Sequence, residues 1–115
     1  MASVFHAMTS FRQNEVDALF KATIARYKIQ GLEIRLAPKF LPLARLLIIT
    51  PRACGNAPKR NRIRRRLKSI FYEHKYYEQP FDWIIMVKKE GIELNFDDLK
   101  GIMAQALSET SAKNA

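Results

Sequence analysis

The sequence predicts an α+β fold, a single domain of helix-strand-strand-helix-strand-helix order with its helices packed on a small central sheet. Three observations predict it. Apolar residues recur at helical spacing in three segments, they alternate or run on at strand length in three others, and turn-forming residues separate the two kinds. At 115 residues the chain has the size of one domain and can bury a modest core without staples.

Residues 14–27 carry Val16, Leu19, Phe20, Ile24 and Tyr27 on one helix face, and Ser10 with Gln13 supplies a capping box ahead of them. In GLEIRLAP, Leu32, Ile34 and Leu36 alternate with Glu33 and Arg35, as in a strand with one wet face. The next apolar tract predicts a second strand over residues 44–50, closed by Pro51, and ACGNAP reads as a loop. Ile63, Leu67, Ile70, Phe71 and His74 make the apolar face of a second helix over residues 58–75, with Pro58 in its first turn. FDWIIMVKK is apolar nearly throughout, which predicts a central strand. Asn95 is an N-cap with Asp97 and Asp98 in the first turn, and Leu99, Ile102, Met103, Ala106 and Leu107 form the inner face of a third helix. The domain is assigned to residues 1–107, and SETSAKNA, residues 108–115, to a polar, disordered tail.

Charge carries the functional signal. The net charge is +9, and between Ile34 and Tyr72 stand eleven Lys or Arg without one acid. Seven of them fall in KRNRIRRRLK, residues 59–68. In a helix this run sets Arg60 against Arg64, Arg62 against Arg66 and Arg64 against Lys68, each repulsion costing a few tenths of a kcal/mol. The run also sits at a helix N-terminus, where the dipole favours acids. Local stability argues against such a sequence, so the gain is sought in a polyanionic partner. A solvated face would mix signs. Arg outnumbers Lys five to two in the run, and the guanidinium fork matches phosphate. A membrane-surface helix would need its apolar side for lipid, whereas Ile63, Leu67, Ile70 and Phe71 are needed to cover the sheet. RNA and DNA remain, and charge does not separate them.

Other chemistry finds little support. Cys54 is the only cysteine, which leaves no internal disulfide and no thiolate zinc cluster and fits a reducing, cytoplasmic setting. No stretch has the length of a membrane span. A protein nuclease would need paired carboxylates or a His with acid partners, and Glu73, His74 and Asp82 follow no such spacing.

The segment KRNRIRRRLKSIF, preceded by Arg52 and the turn CGNAP, resembles the signature of the protein component of bacterial ribonuclease P. The match falls on Arg52, Gly55, Asn56, Ala57, Lys59, Arg60, Asn61, Arg62, Ile63, Arg64, Arg65, Leu67, Lys68 and Phe71, and Leu19-Phe20 and Asp82 with IIMVK resemble flanking family segments. Departures are Ala53 for a basic residue, Cys54 for an aliphatic one, Pro58 for a small one and Ser69 for a Glu. The resemblance implies a small protein bound to a large catalytic RNA that trims the 5′ leader of precursor tRNA, with Mg²⁺ held by the RNA and none by the protein. It implies RNA contacts at Arg52, Lys59, Arg60, Asn61, Arg62, Arg64, Arg65 and Lys68, and a leader cleft that includes Phe20 and Arg52. It further implies a left-handed strand-helix-strand crossover, against the general rule, and a monomer within the holoenzyme. The competing class is a structural RNA binder of ribosomal-protein type.

Overall fold

The structure, a computed structural model, describes residue 9 and residues 11–113. Helix α1 spans Gln13–Lys21. The Glu15 carboxylate closes its first turn by accepting the backbone N–H of Arg12 at 2.9 Å, while the expected cap residue Ser10 lies outside the described residues. The helix ends at Lys21, not at residue 27, and Ile24, placed on its apolar face by spacing, is 45% exposed.

After α1 comes a strand that the apolar spacing does not predict. β1, Ala25–Ile29, pairs antiparallel with β2, Leu32–Pro38, so the order is α-β-β-β-α-β-α and not the expected α-β-β-α-β-α. Tyr27 fits both a helical repeat from Phe20 and a two-residue repeat with Ala25 and Ile29; the turn decides between them. Gln30 and Gly31 both take positive φ, 48° and 86°, in the two-residue connection whose twist suits an antiparallel ribbon. Gly31 is also confined sterically, since a Cβ there would stand 2.3 Å from the backbone nitrogen of Gly91.

β3 spans Leu46–Ile49 and β4 spans Phe81–Val87, in the sheet order β1-β2-β4-β3. β4 is central, antiparallel to β2 and parallel to β3, which accounts for its nearly unbroken apolar sequence. β3 is left as an edge. On one face Leu32, Ile34, Leu36, Leu46, Trp83, Ile85 and Val87 pack under α2, Ala57–Glu73, and α3, Phe96–Lys113. Trp83 anchors this layer, with Tyr76 stacked on it at 5.5 Å and Phe71 edge-on at 6.4 Å. The other face is covered only in part, where Leu19 of α1 meets Ala37 and Ile84, with Phe11, Phe20, Leu47, Ile49 and Met86 around them.

α3 starts as expected, the Asn95 side chain accepting the N–H of Asp98 at 2.8 Å. It ends later than expected. The helix continues to Lys113 through most of the segment assigned to a disordered tail, because Thr110 is fully buried and its hydroxyl hydrogen-bonds that of Tyr27 on β1 at 2.8 Å. Spacing alone sets Tyr27 on a helix, which hides this partner. Among the described residues no helix is long and apolar enough to cross a membrane.

Candidate nucleic-acid interface

The basic run lies on α2, which begins one residue earlier than predicted. Asn56 is its N-cap, the side chain accepting the N–H of Lys59 at 2.9 Å, and Pro58 sits in the first turn, where no N–H partner is needed. Ile63, Leu67, Ile70 and Phe71 are buried against the sheet, as their spacing requires. His74 is not with them. It is exposed at the C-cap, because the helix stops at Glu73 and not at Lys75. Glu73 is exposed beside it, whereas Asp82 is buried on the opposite face of the sheet, so the three residues considered for catalysis do not form one site.

Packing divides the cations of α2 into two sets. Arg60 donates from Nε to the carbonyl of Gly55 at 3.1 Å, Arg66 donates from Nη1 to the carbonyl of Leu94 at 2.9 Å, and Lys59 Nζ lies 3.5 Å from Glu93. These three tie the helix to its own N-terminal turn and to the segment before α3. Arg64, Arg65 and Lys68 have no hydrogen bond or ion pair with any described residue, and neither do Arg52 and Arg62. Arg62 even holds a buried Nε without a hydrogen-bond partner among them. Arg64 and Lys68, one turn apart, line a shallow recess with Thr9 and with Leu46, Leu47 and Ile48 of the β3 edge. Asn61 and Arg65 point outward and Arg52 is exposed in the 3-10 turn after β3. Asn61, Arg64, Arg65 and Lys68 thus lie off the apolar face of α2, whereas Lys59 and Arg60 are partly committed to the fold.

A second basic surface lies on the half-covered face of the sheet. Phe20 lines a hollow with Thr23, Ile24, Ala25, Arg26 and Arg35, and the Arg35 guanidinium sits 5.2 Å from the Phe20 ring centroid. Phe20 is half-buried, so it is neither a core residue nor a free one. Arg52 is not part of this hollow. Glu33 lies between Arg35 at 2.9 Å and Arg26 at 3.8 Å. Burial pushes its carboxyl up, but the hydrogen bond and charge of Arg35, with Arg26 and Lys28, outweigh burial and hold it below its usual range.

Two residues on this side of the sheet, Arg26 and Arg45, escape the sequence patterns. Arg35 is legible as a wet-face residue of β2, but Arg26 belongs to the strand whose spacing also fits a helix. Arg45, in an apolar strand sequence, is 3% exposed: it donates to Glu15 at 2.9 Å and stacks 4.3 Å over Phe11, holding α1 on the sheet. Beside it Asp82 accepts the Arg45 backbone N–H at 2.7 Å, and burial pushes its carboxyl above the usual range despite that bond. Among the described residues no three His, Cys, Asp or Glu side chains come together as metal ligands.

Comparison with known proteins agrees with this architecture. The chain is 33% identical over 91 residues to the ribonuclease P protein component of Borrelia duttonii, covering 77% of this chain and 79% of that one. The fold matches the ribonuclease P protein of Staphylococcus aureus with a TM-score of 0.76 at 16% identity, covering 90% and 94% of the two chains. It matches that of Thermotoga maritima with a TM-score of 0.69 at 18% identity, covering 84% and 93%. The family model described as Ribonuclease P matches residues 3–111. With that span and the shared α-β-β-β-α-β-α order, the chain belongs to the ribonuclease P protein family, the protein component of a ribozyme-based endoribonuclease.

Proposed function

We propose that the chain binds the catalytic RNA of ribonuclease P through the outward cations of α2 and holds the 5′ leader of precursor tRNA on the half-covered face of the sheet. The observation that carries this reading is the division of the basic run. Arg60 and Arg66 are used by the fold, whereas Arg64, Arg65 and Lys68 are held on a rigid helix with no protein partner among the described residues. Cations placed together at the cost of mutual repulsion are stabilised by an anion, and phosphate is the anion that the partner RNA supplies. Arg52, Arg62 and Asn61 extend this face, with Lys59 and Arg60 at its margin.

For the leader, Phe20 offers a stacking surface and Arg35 and Arg26 the adjacent charge, the combination that binds single strands without sequence preference. Hydrolysis and its Mg²⁺ are assigned to the RNA, and the protein acts by binding and positioning one copy of itself within the holoenzyme. The crossover from β3 through α2 to β4 is assigned the left-handed sense that the family resemblance implies. The test is reconstitution: the purified chain mixed with its cognate large RNA and precursor tRNA should yield mature 5′ ends faster than the RNA without the chain. Equal cleavage with and without the chain would refute the reading.

A further inference from the structure

We propose that Glu33 is the resident counter-ion of the hollow beside α1: it positions the Arg35 guanidinium and offsets charge that would otherwise hold a phosphodiester strand more tightly. The proposal rests on the reading of this hollow as the leader site and names the residue that sets how strongly the site binds. In the sheet register Arg26 of β1 stands directly opposite Arg35 of β2, and both line the hollow. Like charges in that relation destabilise a strand pair. Lys28, two residues along β1 on the same face as Arg26, stands opposite Glu33. Three cations therefore gather around one carboxylate.

The Glu33 side chain is 8% exposed, against 20% for Arg35 and 56% for Arg26, and it does not itself line the hollow. Its Oε2 accepts the Nε–H of Arg35 at 3.0 Å and lies 2.9 Å from Nη2, which fixes one side of the guanidinium. The Phe20 ring, 5.2 Å from the guanidinium carbon, bounds it on another. Nη1 is left without a hydrogen-bond partner among the described residues. Arg35 is thus presented in one orientation, with a nitrogen to spare and part of its charge already met. The same Oε2 lies 3.8 Å from Arg26 Nε, so one carboxylate serves both arginines. A carboxylate this buried is costly unless it is paired, and the cations keep it ionised despite burial. In the empty hollow Glu33 relieves the repulsion between Arg26 and Arg35. In the filled hollow it competes with phosphate for the same two cations and weakens their hold. A leader that is cut from its tRNA must leave, and a built-in competitor eases its release.

The experiment measures binding of precursor tRNA to the reconstituted holoenzyme over a range of salt, with a leader of several nucleotides and with a single-nucleotide leader. The difference between the two substrates isolates the hollow. Glu33→Gln keeps an acceptor for Arg35 but removes the charge. It should bind the long leader about fivefold more tightly and steepen its log-log salt slope by up to about one unit, with the single-nucleotide leader unchanged. Glu33→Asp keeps the charge and should leave the slope as it was. Long-leader binding by Glu33→Gln that is no tighter than wild type, or an equal gain on both substrates, overturns the proposal. If Arg35→Ala still weakens the long leader in that case, the reading of the hollow as the leader site stands. If Arg35→Ala binds both substrates as the wild type does, the leader reading falls and the counter-ion role with it. Should Glu33→Gln fail to fold, Glu33→Met removes the same charge from a side chain of similar length, and the long-leader slope decides in the same way.

Discussion

Arg45, the residue before β3, and Glu15 of α1 meet at 2.9 Å, a cation with 3% of its side chain exposed against a carboxylate with 31%. This pair, with the Phe11 ring over the guanidinium, seats α1 on the sheet and so fixes where Phe20 stands. The backbone N–H of Arg12 and the side chain of Arg45 together hold the Glu15 carboxyl below its usual range.

The first prediction concerns that pair. Glu15→Gln and Arg45→Met should each lower the melting temperature, and the double variant should lose less than the sum of the two. A double-mutant cycle by thermal unfolding checks this; additivity within about 0.3–0.5 kcal/mol would mean that the two side chains are not coupled.

Two kinds of arginine on α2 should respond differently. Arg64→Ala with Arg65→Ala should weaken binding to the RNA subunit and flatten the log-log salt slope by about 1.5–2 units, with little change in stability. Arg66→Ala loses its bond to the Leu94 carbonyl and should cost about 1–2 kcal/mol in urea unfolding while the slope stays as it was. Equal effects from both variants would contradict the division of the run.

Phe20→Leu tests the hollow beside α1. Affinity should fall for precursor tRNA with a leader of several nucleotides, by about 1–3 kcal/mol if one base is stacked there, and hold for a single-nucleotide leader. An early melting transition with equal losses on both substrates would return Phe20 to the core.

The end of α3 gives a prediction about stability alone. Tyr27→Phe removes the hydroxyl partner of buried Thr110 and should cost about 1 kcal/mol, and removal of residues 108–115 should cost more, since the helix end that covers β1 goes with them. A truncation that left the unfolding midpoint in place would show that the last turns do not hold β1.

Acid should act on two buried carboxyls with opposite sign. Glu33 is held below its ordinary value of 4.5, so its contribution is fully present above that pH and is lost as pH falls through the lower folded value. Glu33→Gln should therefore flatten the acid limb of the stability curve. Asp82 is raised above its ordinary 3.8, so its contribution is present below that pH and is lost as pH rises through the folded value. Asp82→Asn, which can still accept the Arg45 N–H, should gain stability at neutral pH and nothing below pH 3.8. Chemical denaturation at several pH values measures both.

Much of this molecule is legible in the sequence, for identifiable reasons. The inner faces of α2 and α3 follow from Ile63, Leu67, Ile70 and Phe71, and from Leu99, Ile102, Met103 and Ala106, since one periodicity fits each set. β1 is not legible, because Phe20, Ile24 and Tyr27 satisfy a helical repeat while Ala25, Tyr27 and Ile29 satisfy a strand repeat, and only pairing with β2 breaks the tie. Two errors descend from that one. With Tyr27 placed on a helix, neither the buried Thr110 nor the basic surface at Arg26 has a visible reason. The stripe of Arg64, Arg65 and Lys68 is legible from charge, but the commitment of Arg60 and Arg66 to backbone carbonyls depends on Gly55 and Leu94, which only the folded chain brings near.

The contact between Gly31 and Gly91 constrains how such a chain can change. A Cβ at Gly31 would meet backbone of residues 90 and 91 at 2.3–2.8 Å, and one at Gly91 would meet the Gly31 carbonyl oxygen at 2.6 Å. Because the nearest obstacles at both positions are main chain, no smaller side chain elsewhere could make room. A substitution at either position has no second-site remedy short of moving a whole turn, and Lys88, whose N–H bonds the Gly31 carbonyl at 2.9 Å, holds the two turns together. These two turns can change only together, which makes them poor places for an insertion or a tag.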